Sequence, residues 1–432
     1  MKLILIIAVF PILVFGQKRI PANLAKYMQA QVEINNFSGT VLVMKNDSVL
    51  LKKAYGFADY EWNIPNTVDT KFQLASVTKQ FTAAAILQLV DQGKISLHDK
   101  LSRFFPDYPK SDSVTIHMLL SHSSGLALGF KEISLSTMNK DSAYSEIKKI
   151  PYVFSPGTKS AYSNIGYYLL AKIIEKVSGE KYAAFLRKNI FEKAGMKNTG
   201  VSNNDSIVSK KAQIYCRTEK GFTHNPYINW EVNLGHDGVY STVEDLALWD
   251  KALYGTSVLS TEMKNKMFTP HNSENWGYGF IINPFYNHGH HLIAHDGGFF
   301  GTMTSFNRFI DDHLFVTVLS NNESLSYIIS YGLSAIALGK DVELPYKHYK
   351  AKIDPTIYDS YVGKYGKIEI LKMNNKLYYN NSEIELIPES KTKFFRTDDN
   401  DRTVEFIQDK KGVYRSIILT KGGVKEILVK EK

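Results

Sequence analysis

The sequence predicts a mixed α/β fold followed by a small all-β domain. Three observations lead to this prediction: a long apolar helix follows a β-hairpin, a second pair of strands comes late in the first domain, and short alternating strands fill the last part of the chain. The chain has 432 residues and a hydrophobic content of 44%, which is enough for two domains with separate cores. We place the first domain at residues 17–345 and the all-β domain at residues 346–432.

The N-terminus predicts an export signal over residues 1–16. Lys2 precedes an apolar run, Leu3–Phe15, and Val14 and Gly16 stand at the −3 and −1 positions of a cleavage site after Gly16. The run is short for a membrane span, so we expect an exported protein, periplasmic or secreted, with no stable membrane span once the signal is removed. An uncleaved anchor is the alternative interpretation.

Composition argues against several other classes of protein. The net charge of +9 is spread along the chain and no nucleic-acid motif is present, so we expect no nucleic-acid partner. The single cysteine, Cys216, leaves no internal disulfide. His288, His290, His291 and His295 are clustered, but no carboxylate or cysteine pattern completes a metal site. We therefore predict neither a metal nor another cofactor, and the oligomeric state stays open.

The helices of the first domain are predicted from the spacing of apolar residues and from residues that begin and end helices. In chain order they lie at Ile20–Asn36, at Ala75–Val90, within Thr115–Leu126, from about Asn164 to Val177, at Tyr182–Phe191, from Ser241 or Thr242 to about Tyr254, and at Tyr327–Leu338.

The strands are predicted from alternating apolar residues that flank turn residues. Gly39–Met44 and Val49–Tyr55 form a hairpin beside the second helix, Trp276–Ile282 is a single strand, and Thr302–Phe309 pairs with Leu314–Ser320. The strands of the all-β domain, which we expect to form a small antiparallel barrel or sandwich, are Lys367–Leu371, Lys376–Tyr379, Glu383–Leu386, Phe394–Thr397, Thr403–Gln408, Val413–Leu419 and Val424–Val429.

The clearest chemistry lies between Phe72 and Gly93. Ala75–Val90 is apolar on nearly every face and contains no helix breaker, which predicts a buried helix ending at Gly93. Ser76 and Lys79 lie three residues apart at its start and share one face. A serine becomes a nucleophile when a base takes its proton, and a lysine whose pKa is lowered by burial can be that base. The N–H of Ser76 can also donate to an oxyanion.

The pattern Ser-x-x-Lys is weak evidence by itself, because it occurs four times in the chain. The other copies begin at Ser145, Ser178 and Ser390. Only the Ser76 copy opens a long buried helix, so Ser76 and Lys79 are the candidates for catalysis.

A second candidate stretch lies at the entry of the helix that begins near Asn164. Tyr162 can relay protons there, and Asn164 can hydrogen-bond a substrate carbonyl. A helix cap with a packed aromatic ring is the structural alternative for this stretch. His122, in the turn Ser-His-Ser-Ser-Gly, invites a catalytic interpretation beside Ser123, but we favour a role in holding that turn by side-chain hydrogen bonds.

A third candidate stretch is His295-Asp296-Gly297-Gly298, before the strand at Thr302–Phe309. A glycine pair lets the backbone come close to a ligand, and the N–H of Gly298 can complete an oxyanion hole.

Three weak motifs in one order make a stronger signal. Ser76-Val-Thr-Lys79, Tyr162-Ser-Asn164 and His295-Asp-Gly297 resemble the active-site motifs of the serine β-lactamase and penicillin-binding-protein superfamily, and they look most like its class C β-lactamase, D,D-peptidase and esterase branch. The resemblance covers about Phe37 to Gly339. His236-Asp237-Gly238 is a second H-x-G, but its position matches a structural stretch, so His295 takes the third-motif role.

The resemblance implies a fold and a set of roles. The fold is an antiparallel sheet flanked by helices, with an all-helical subdomain, and the all-β domain resembles lipocalin-like modules appended to such hydrolases. Ser76 is the acylated nucleophile, and Lys79 and Tyr162 share the work of general base and proton relay. Three further roles are implied: Asn164 orients the substrate, His295 replaces the usual lysine, and Ser76 and Gly298 form the oxyanion hole beside Gly297.

The histidine at position 295 changes the expected substrate. An unshifted histidine is mostly neutral near pH 7, so it anchors a substrate carboxylate poorly. We therefore predict an exported serine hydrolase acting on an ester or on amide bonds of D-amino-acid or peptidoglycan-type peptides, with a small molecule or a cell-wall peptide as its substrate. A true β-lactamase and a non-catalytic envelope-binding protein are the alternatives.

Overall fold

The computed structural model describes residues 12–129, 140–380, 383–399 and 401–431. The chain divides into two compact units, of which one is Phe37–Ser330 and the other combines the N-terminal helix with the chain from Tyr331 onward. Most of the predicted export signal lies outside the described residues, and residues 12–16 begin the first helix. Within the described ranges, no helix has both the length and the apolar character that crossing a bilayer requires.

The predicted helices are all present, but the first begins at Ile12 instead of Ile20. The helices at Lys140–Ile147 and Thr261–Phe268 were not predicted. The helix that follows Ser76 begins as a 3-10 turn, Ala75–Thr78, and continues as an α-helix that is buried on all sides. The α-helices are α1 (Ile12–Asn35), α2 (Lys79–Asp91), α3 (Ile116–Leu120), α4 (Lys140–Ile147), α5 (Asn164–Ser178), α6 (Tyr182–Leu186), α7 (Glu192–Ala194), α8 (Val243–Tyr254), α9 (Thr261–Phe268) and α10 (Ser326–Ala337).

In the described part of the first unit, the strands form one large antiparallel sheet and three small ones. The strands are β1 (Gly39–Lys45), β2 (Ser48–Tyr55), β3 (Phe57–Asp59), β4 (Ile64–Pro65), β5 (Phe72–Gln73), β6 (Gly200–Val201), β7 (Tyr215–Thr218), β8 (Gly221–His224), β9 (Val239–Ser241), β10 (Ile281–Ile282), β11 (Leu292–Phe299), β12 (Thr302–Phe309) and β13 (Leu314–Ser320). The large sheet has the order β10-β11-β12-β13-β1-β2, in which the late strands pair with the first hairpin.

Helices flank this sheet and also form a separate group, as predicted. Helix α8 packs against β1 and β13. Between β5 and β6, the described chain contains helices and 3-10 turns but no strand. The buried Trp249 of α8 contacts Phe81 of α2 at a ring-centre distance of 5.0 Å, and its indole N–H donates to Gln80 at 2.9 Å. This contact joins α2, which carries Lys79, to the sheet-packing helix.

Two strands of the large sheet differ from the prediction. The strand predicted at Trp276–Ile282 is limited to β10, because the glycines at 277 and 279 allow a tight reversal in which Trp276 bridges Ile281. No strand was predicted at Leu292–Phe299, which forms β11 and pairs with β12. The helix predicted at Tyr182–Phe191 is present, with a π-turn over its second half.

The second unit contains the predicted barrel-like sheet, with one strand more than the sequence indicated. Its hydrogen-bonded order is sequential, and the N–H of Glu431 donates to the carbonyl of Lys364 at 2.7 Å, which brings the last strand back to the first. Aromatic rings fill the interior, where Tyr361 and Phe406 stack at 4.0 Å. The strands are β14 (Gly363–Tyr365), β15 (Ile368–Met373), β16 (Lys376–Tyr379), β17 (Glu385–Pro388), β18 (Lys393–Arg396), β19 (Arg402–Gln408), β20 (Tyr414–Lys421) and β21 (Val424–Val429).

The N-terminal helix belongs to this second unit. In α1, Tyr27 donates to the carbonyl of Gly422, and both Gln31 and Asn35 donate to the carboxylate of Asp401. These contacts fix α1 against the barrel.

Candidate active site

Ser76 is placed by a strained turn between β5 and the 3-10 turn. Ala75 has a φ of 48°, in the left-handed region that residues with a side chain rarely adopt. The flanking backbone holds this conformation, because the N–H of Leu74 donates to Val239 and its carbonyl accepts from Thr304 at 2.7 Å. Ser76 is the second residue of the 3-10 turn, so its N–H has no acceptor within the helix.

Lys79 and Ser76 are in direct contact, as their spacing predicted. The Nζ atom of Lys79 lies 3.0 Å from the Oγ atom of Ser76. Lys79 has no exposed surface, and burial lowers its pKa to about 8, while the charge of Asp237 acts in the opposite direction. A substantial fraction of Lys79 is therefore uncharged at mildly alkaline pH.

Residues 235–239 run beside the start of α2 and contact it repeatedly. Lys79 donates to the carbonyl of His236 at 3.2 Å, and the hydroxyl of Thr82 donates to the carbonyl of Gly235 at 2.7 Å. The hydroxyl of Ser76 donates to Oδ1 of Asp237 at 3.2 Å, and Nδ1 of His236 faces Oδ2 of the same carboxylate at 2.6 Å. The sequence predicted a structural role for this stretch and gave no indication of its contact with Ser76.

The one local signal is that a histidine and an aspartate stand side by side at positions 236 and 237. In the structure Asp237 is almost fully buried. Buried carboxylates need partners, and the adjacent His236 and the distant Lys79 supply them. Burial raises the pKa of Asp237, but His236 and Lys79 outweigh this effect and hold the pKa below its ordinary value, so the carboxylate is charged at neutral pH.

Tyr162 lies over Lys79 and is kept protonated. The Nζ atom of Lys79 lies 4.7 Å from the centre of the Tyr162 ring. Burial raises the pKa of Tyr162 well above its ordinary value, the charge of Asp237 raises it further, and hydrogen bonding to Ser76 offsets part of this rise. The phenol is therefore a proton donor in the resting site.

His122 holds the loop that carries Tyr162. Its Nδ1 atom accepts from the N–H of Ser163 at 3.1 Å, and its carbonyl accepts from the N–H of Ala161. Its ring packs against that of Tyr162 in a tilted arrangement, at a ring-centre distance of 4.4 Å. Burial lowers the pKa of His122 well below its ordinary value, so the ring is neutral. The side chain therefore has a structural, hydrogen-bonding role, but it holds the loop of Tyr162, whereas the sequence predicted that it would hold its own turn.

Asn164 is the first residue of α5, with Ser163 as the N-cap, whose hydroxyl accepts from Gly166. Its backbone N–H donates to Leu128 at 2.7 Å. The side-chain Oδ1 atom is buried and has no hydrogen-bond partner among the described residues. An amide in this state can offer either its oxygen or its nitrogen to a ligand.

His295 lies within strand β11 and is neutral. Its Nδ1 atom lies 2.6 Å from the carbonyl of Asp296, an acceptor, so Nδ1 carries the proton. Burial lowers the pKa of His295 to about 3, and the nearby Lys79 also lowers it. The ring lies 6.1 Å from that of Tyr162 and 5.7 Å from that of Trp276, a residue that the sequence analysis did not assign to the site.

The two glycines after His295 differ in the space around them. A Cβ atom at Gly297 would clash with the carbonyl oxygen of Leu74 and the hydroxyl of Thr304. At Gly298 it would meet the sulfur of Met303 at 3.2 Å, the flexible end of a side chain. Gly297 therefore allows β11 to approach the Ser76 turn closely.

The histidine cluster at the start of β11 is dispersed into separate pairs. Nδ1 of His290 lies 2.7 Å from Asp312, whereas His291 lies 3.9 Å from Asp311. Within the described ranges, no group of three or more histidine, cysteine or acidic residues has an arrangement that could hold a metal ion.

Comparison with known proteins agrees with this geometry. The family model described as Beta-lactamase matches residues 24–326. A penicillin-binding protein of Bacillus subtilis (strain 168) is 30% identical over 417 residues, which cover 86% of this chain and 92% of the relative. A teichoic acid D-alanine hydrolase of Staphylococcus aureus is 27% identical over 301 residues, which cover 69% of this chain and 72% of the relative.

A solved structure extends the similarity to nearly the whole chain. The octameric penicillin-binding protein homologue from Pyrococcus abyssi matches with a TM-score of 0.69 and 26% sequence identity, and the match covers 94% of this chain and 99% of that one.

Proposed function

The chain belongs to the beta-lactamase family of serine hydrolases, and from that premise we propose that it is an exported enzyme that hydrolyses an ester or amide bond through an acyl-enzyme on Ser76. The observation that carries this proposal is the contact between Lys79 and Ser76 at 3.0 Å, with the lysine fully buried. A buried amine next to a hydroxyl is the arrangement that activates a serine without a histidine base.

Acylation follows from this pair. Uncharged Lys79 accepts the proton of Ser76 as the Oγ atom bonds to the substrate carbonyl carbon. The N–H groups of Ser76 and Gly298 donate to the oxyanion that develops. Tyr162 is a protonated phenol beside Ser76, so it passes a proton to the leaving group, and Lys79 returns one to Tyr162. Water then attacks the ester on Ser76, the proton transfers run in the opposite direction, and the acid is released.

The substrate class follows from His295. A neutral ring at this position offers no charge to a substrate carboxylate, so we infer an ester or peptide substrate in preference to a β-lactam antibiotic. One relative is a teichoic acid D-alanine hydrolase. We therefore propose that the substrate of this chain also carries an acyl group of D configuration. Asn164 orients the acyl amide group, since its side chain has a buried polar atom without a partner among the described residues.

The test is hydrolysis of matched D- and L-alanyl esters and anilides, with a chromogenic cephalosporin alongside them. We expect the D-series to be hydrolysed, the cephalosporin to be turned over slowly, and Ser76→Ala to lose activity on every substrate. Hydrolysis that persists in folded Ser76→Ala would overturn the proposal. Rapid turnover of the cephalosporin would overturn the substrate class and indicate a β-lactamase instead.

A further inference from the structure

We propose that Asp237, fixed by His236, is a positioning residue that orients the Ser76 hydroxyl and stabilises the charged form of Lys79. The inference rests on the proposed function, because it concerns the same reaction. It starts from geometry: the Ser76 oxygen lies 3.0 Å from the Lys79 nitrogen and 3.2 Å from the Asp237 carboxylate. The nucleophile therefore lies between a cation and an anion.

Asp237 is held in place on three sides. Its second carboxylate oxygen faces Nδ1 of His236 at 2.6 Å. Its carbonyl accepts from the side chain of Gln73 at 2.7 Å, and the following strand is fixed where the N–H of Val239 donates to Thr78 at 3.0 Å. Gln73 and Thr78 flank Ser76 in sequence, so these bonds tie the carboxylate to the turn that carries the nucleophile.

Asp237 is a poor candidate for the general base. A carboxylate whose pKa is held below its ordinary value takes a proton from a serine much less readily than an uncharged amine does. Its effect on the reaction is electrostatic, because a buried anion that shares a hydrogen-bond partner with an ammonium favours the charged form of that ammonium. In the resting site the serine proton points to Asp237, and it becomes available to Lys79 when the lysine loses its own proton.

Other groups around Lys79 do not duplicate this charge. Among the described residues, the titratable side chains that face Lys79 are neutral near pH 7, apart from Asp237 and the adjacent His236. The neutral ones are Tyr162 and Tyr167, whose rings face the ammonium, and His122 and His295 across the site.

The test uses the pH dependence of Ser76 labelling by an uncharged fluorophosphonate. The Oγ–P bond forms, the P–F bond breaks, fluoride leaves, and the proton passes to Lys79. The second-order rate constant is measured by intact mass from pH 5 to 10 for the wild type, Asp237→Asn and Asp245→Asn. Asp245 is the matched control, because it is a buried carboxylate that accepts from Asn198 and Thr199.

We expect the midpoint of the rise in rate to fall by about one to three pH units in Asp237→Asn, since removing an opposite charge favours uncharged Lys79. The midpoint in Asp245→Asn stays at the wild-type value. A purely structural role would change the plateau rate or the melting temperature but leave the midpoint in place, and that result would overturn the inference.

The experiment also distinguishes a folding defect and a failure of the proposed function from a failure of the role of Asp237. If Asp237→Asn does not fold, Asp237→Ala, which removes the charge without burying an amide, is measured in the same way. Wild-type protein that takes no label at any pH would contradict the proposed function itself, whereas labelling with an unshifted midpoint in the Asp237 variants contradicts only the role of Asp237.

Discussion

The ammonium nitrogen of Lys79 lies 4.7 Å from the centre of the Tyr162 ring, over its face. In this arrangement the ring and the hydroxyl of Tyr162 contribute to the site in different ways. The ring shields the lysine from water, whereas the hydroxyl interacts with Ser76. The first contribution affects the pKa of Lys79, and the second affects proton transfer.

Tyr162→Phe tests this separation, because it keeps the ring and removes the hydroxyl. We expect kcat/KM to fall by about a hundredfold or more, the usual range for loss of a general acid, with the pH midpoint unchanged. Tyr168→Phe, on the same helix as Asn164 but facing Lys172, is the control and should retain wild-type activity. A shifted midpoint in Tyr162→Phe would show that the hydroxyl also sets the charge of Lys79.

The pH profile of the wild type should rise through a single midpoint near the Lys79 pKa of about 8. The sign follows from the base: uncharged Lys79 accepts the serine proton, and its fraction increases as the pH rises. His295 should add no limb between pH 5 and 7, because its pKa is lowered to about 3 and it stays neutral across this range. A second limb near pH 6.5 in kcat/KM would contradict the assigned state of His295.

His295→Lys should improve recognition of a carboxylate. The substitution supplies a cation where the neutral imidazole stands, and a hydrogen bond to a charged group contributes about 1.5–3 kcal/mol. We expect acylation by a penicillin, which carries a carboxylate, to increase by about tenfold or more relative to acylation by an uncharged ester. His291→Lys, at the more exposed start of the same region, serves as the control, and an equal change in both variants would point to a general effect of charge.

Gly297→Ala should be far more damaging than Gly298→Ala. The added Cβ atom at Gly297 meets backbone at Leu74 as well as the Thr304 side chain, so no rotamer change relieves the clash. Overpacking of this kind costs about 1–3 kcal/mol of folding free energy and displaces the strand from Ser76. At Gly298 the added atom meets the flexible side chain of Met303. Thermal unfolding and labelling rates of the two variants check this, and equal losses would contradict the account of the close approach.

Much of the fold was predictable because it depends on periodic patterns. The apolar run after Ser76, the helix from Asn164 to the left-handed Gly179, and the two late strands all carry local signals, and the structure confirms them. The strand predicted at Trp276–Ile282 was too long, because tight reversals at glycine depend on tertiary contacts and β10 keeps only Ile281–Ile282. The added strand β14 has three residues, too few for an alternating pattern.

The site was predictable only where the chemistry is local in sequence. Ser76 and Lys79 meet within one helical turn, so their spacing was sufficient. Asp237 reaches Ser76 from a segment 161 residues away, and the sequence offered only a second H-x-G, which matched a structural stretch equally well. Trp276 reaches the His295 ring through the irregular segment before β10, and no periodic pattern places it there.

The most direct test of the central claim is the location of the adduct after treatment with a fluorophosphonate. We expect the intact mass of the wild type to increase by one phosphonyl group, peptide mapping to place that group on Ser76, and folded Ser76→Ala to show no adduct. An adduct on another residue, or the same adduct in Ser76→Ala, would contradict the assignment of Ser76 as the nucleophile.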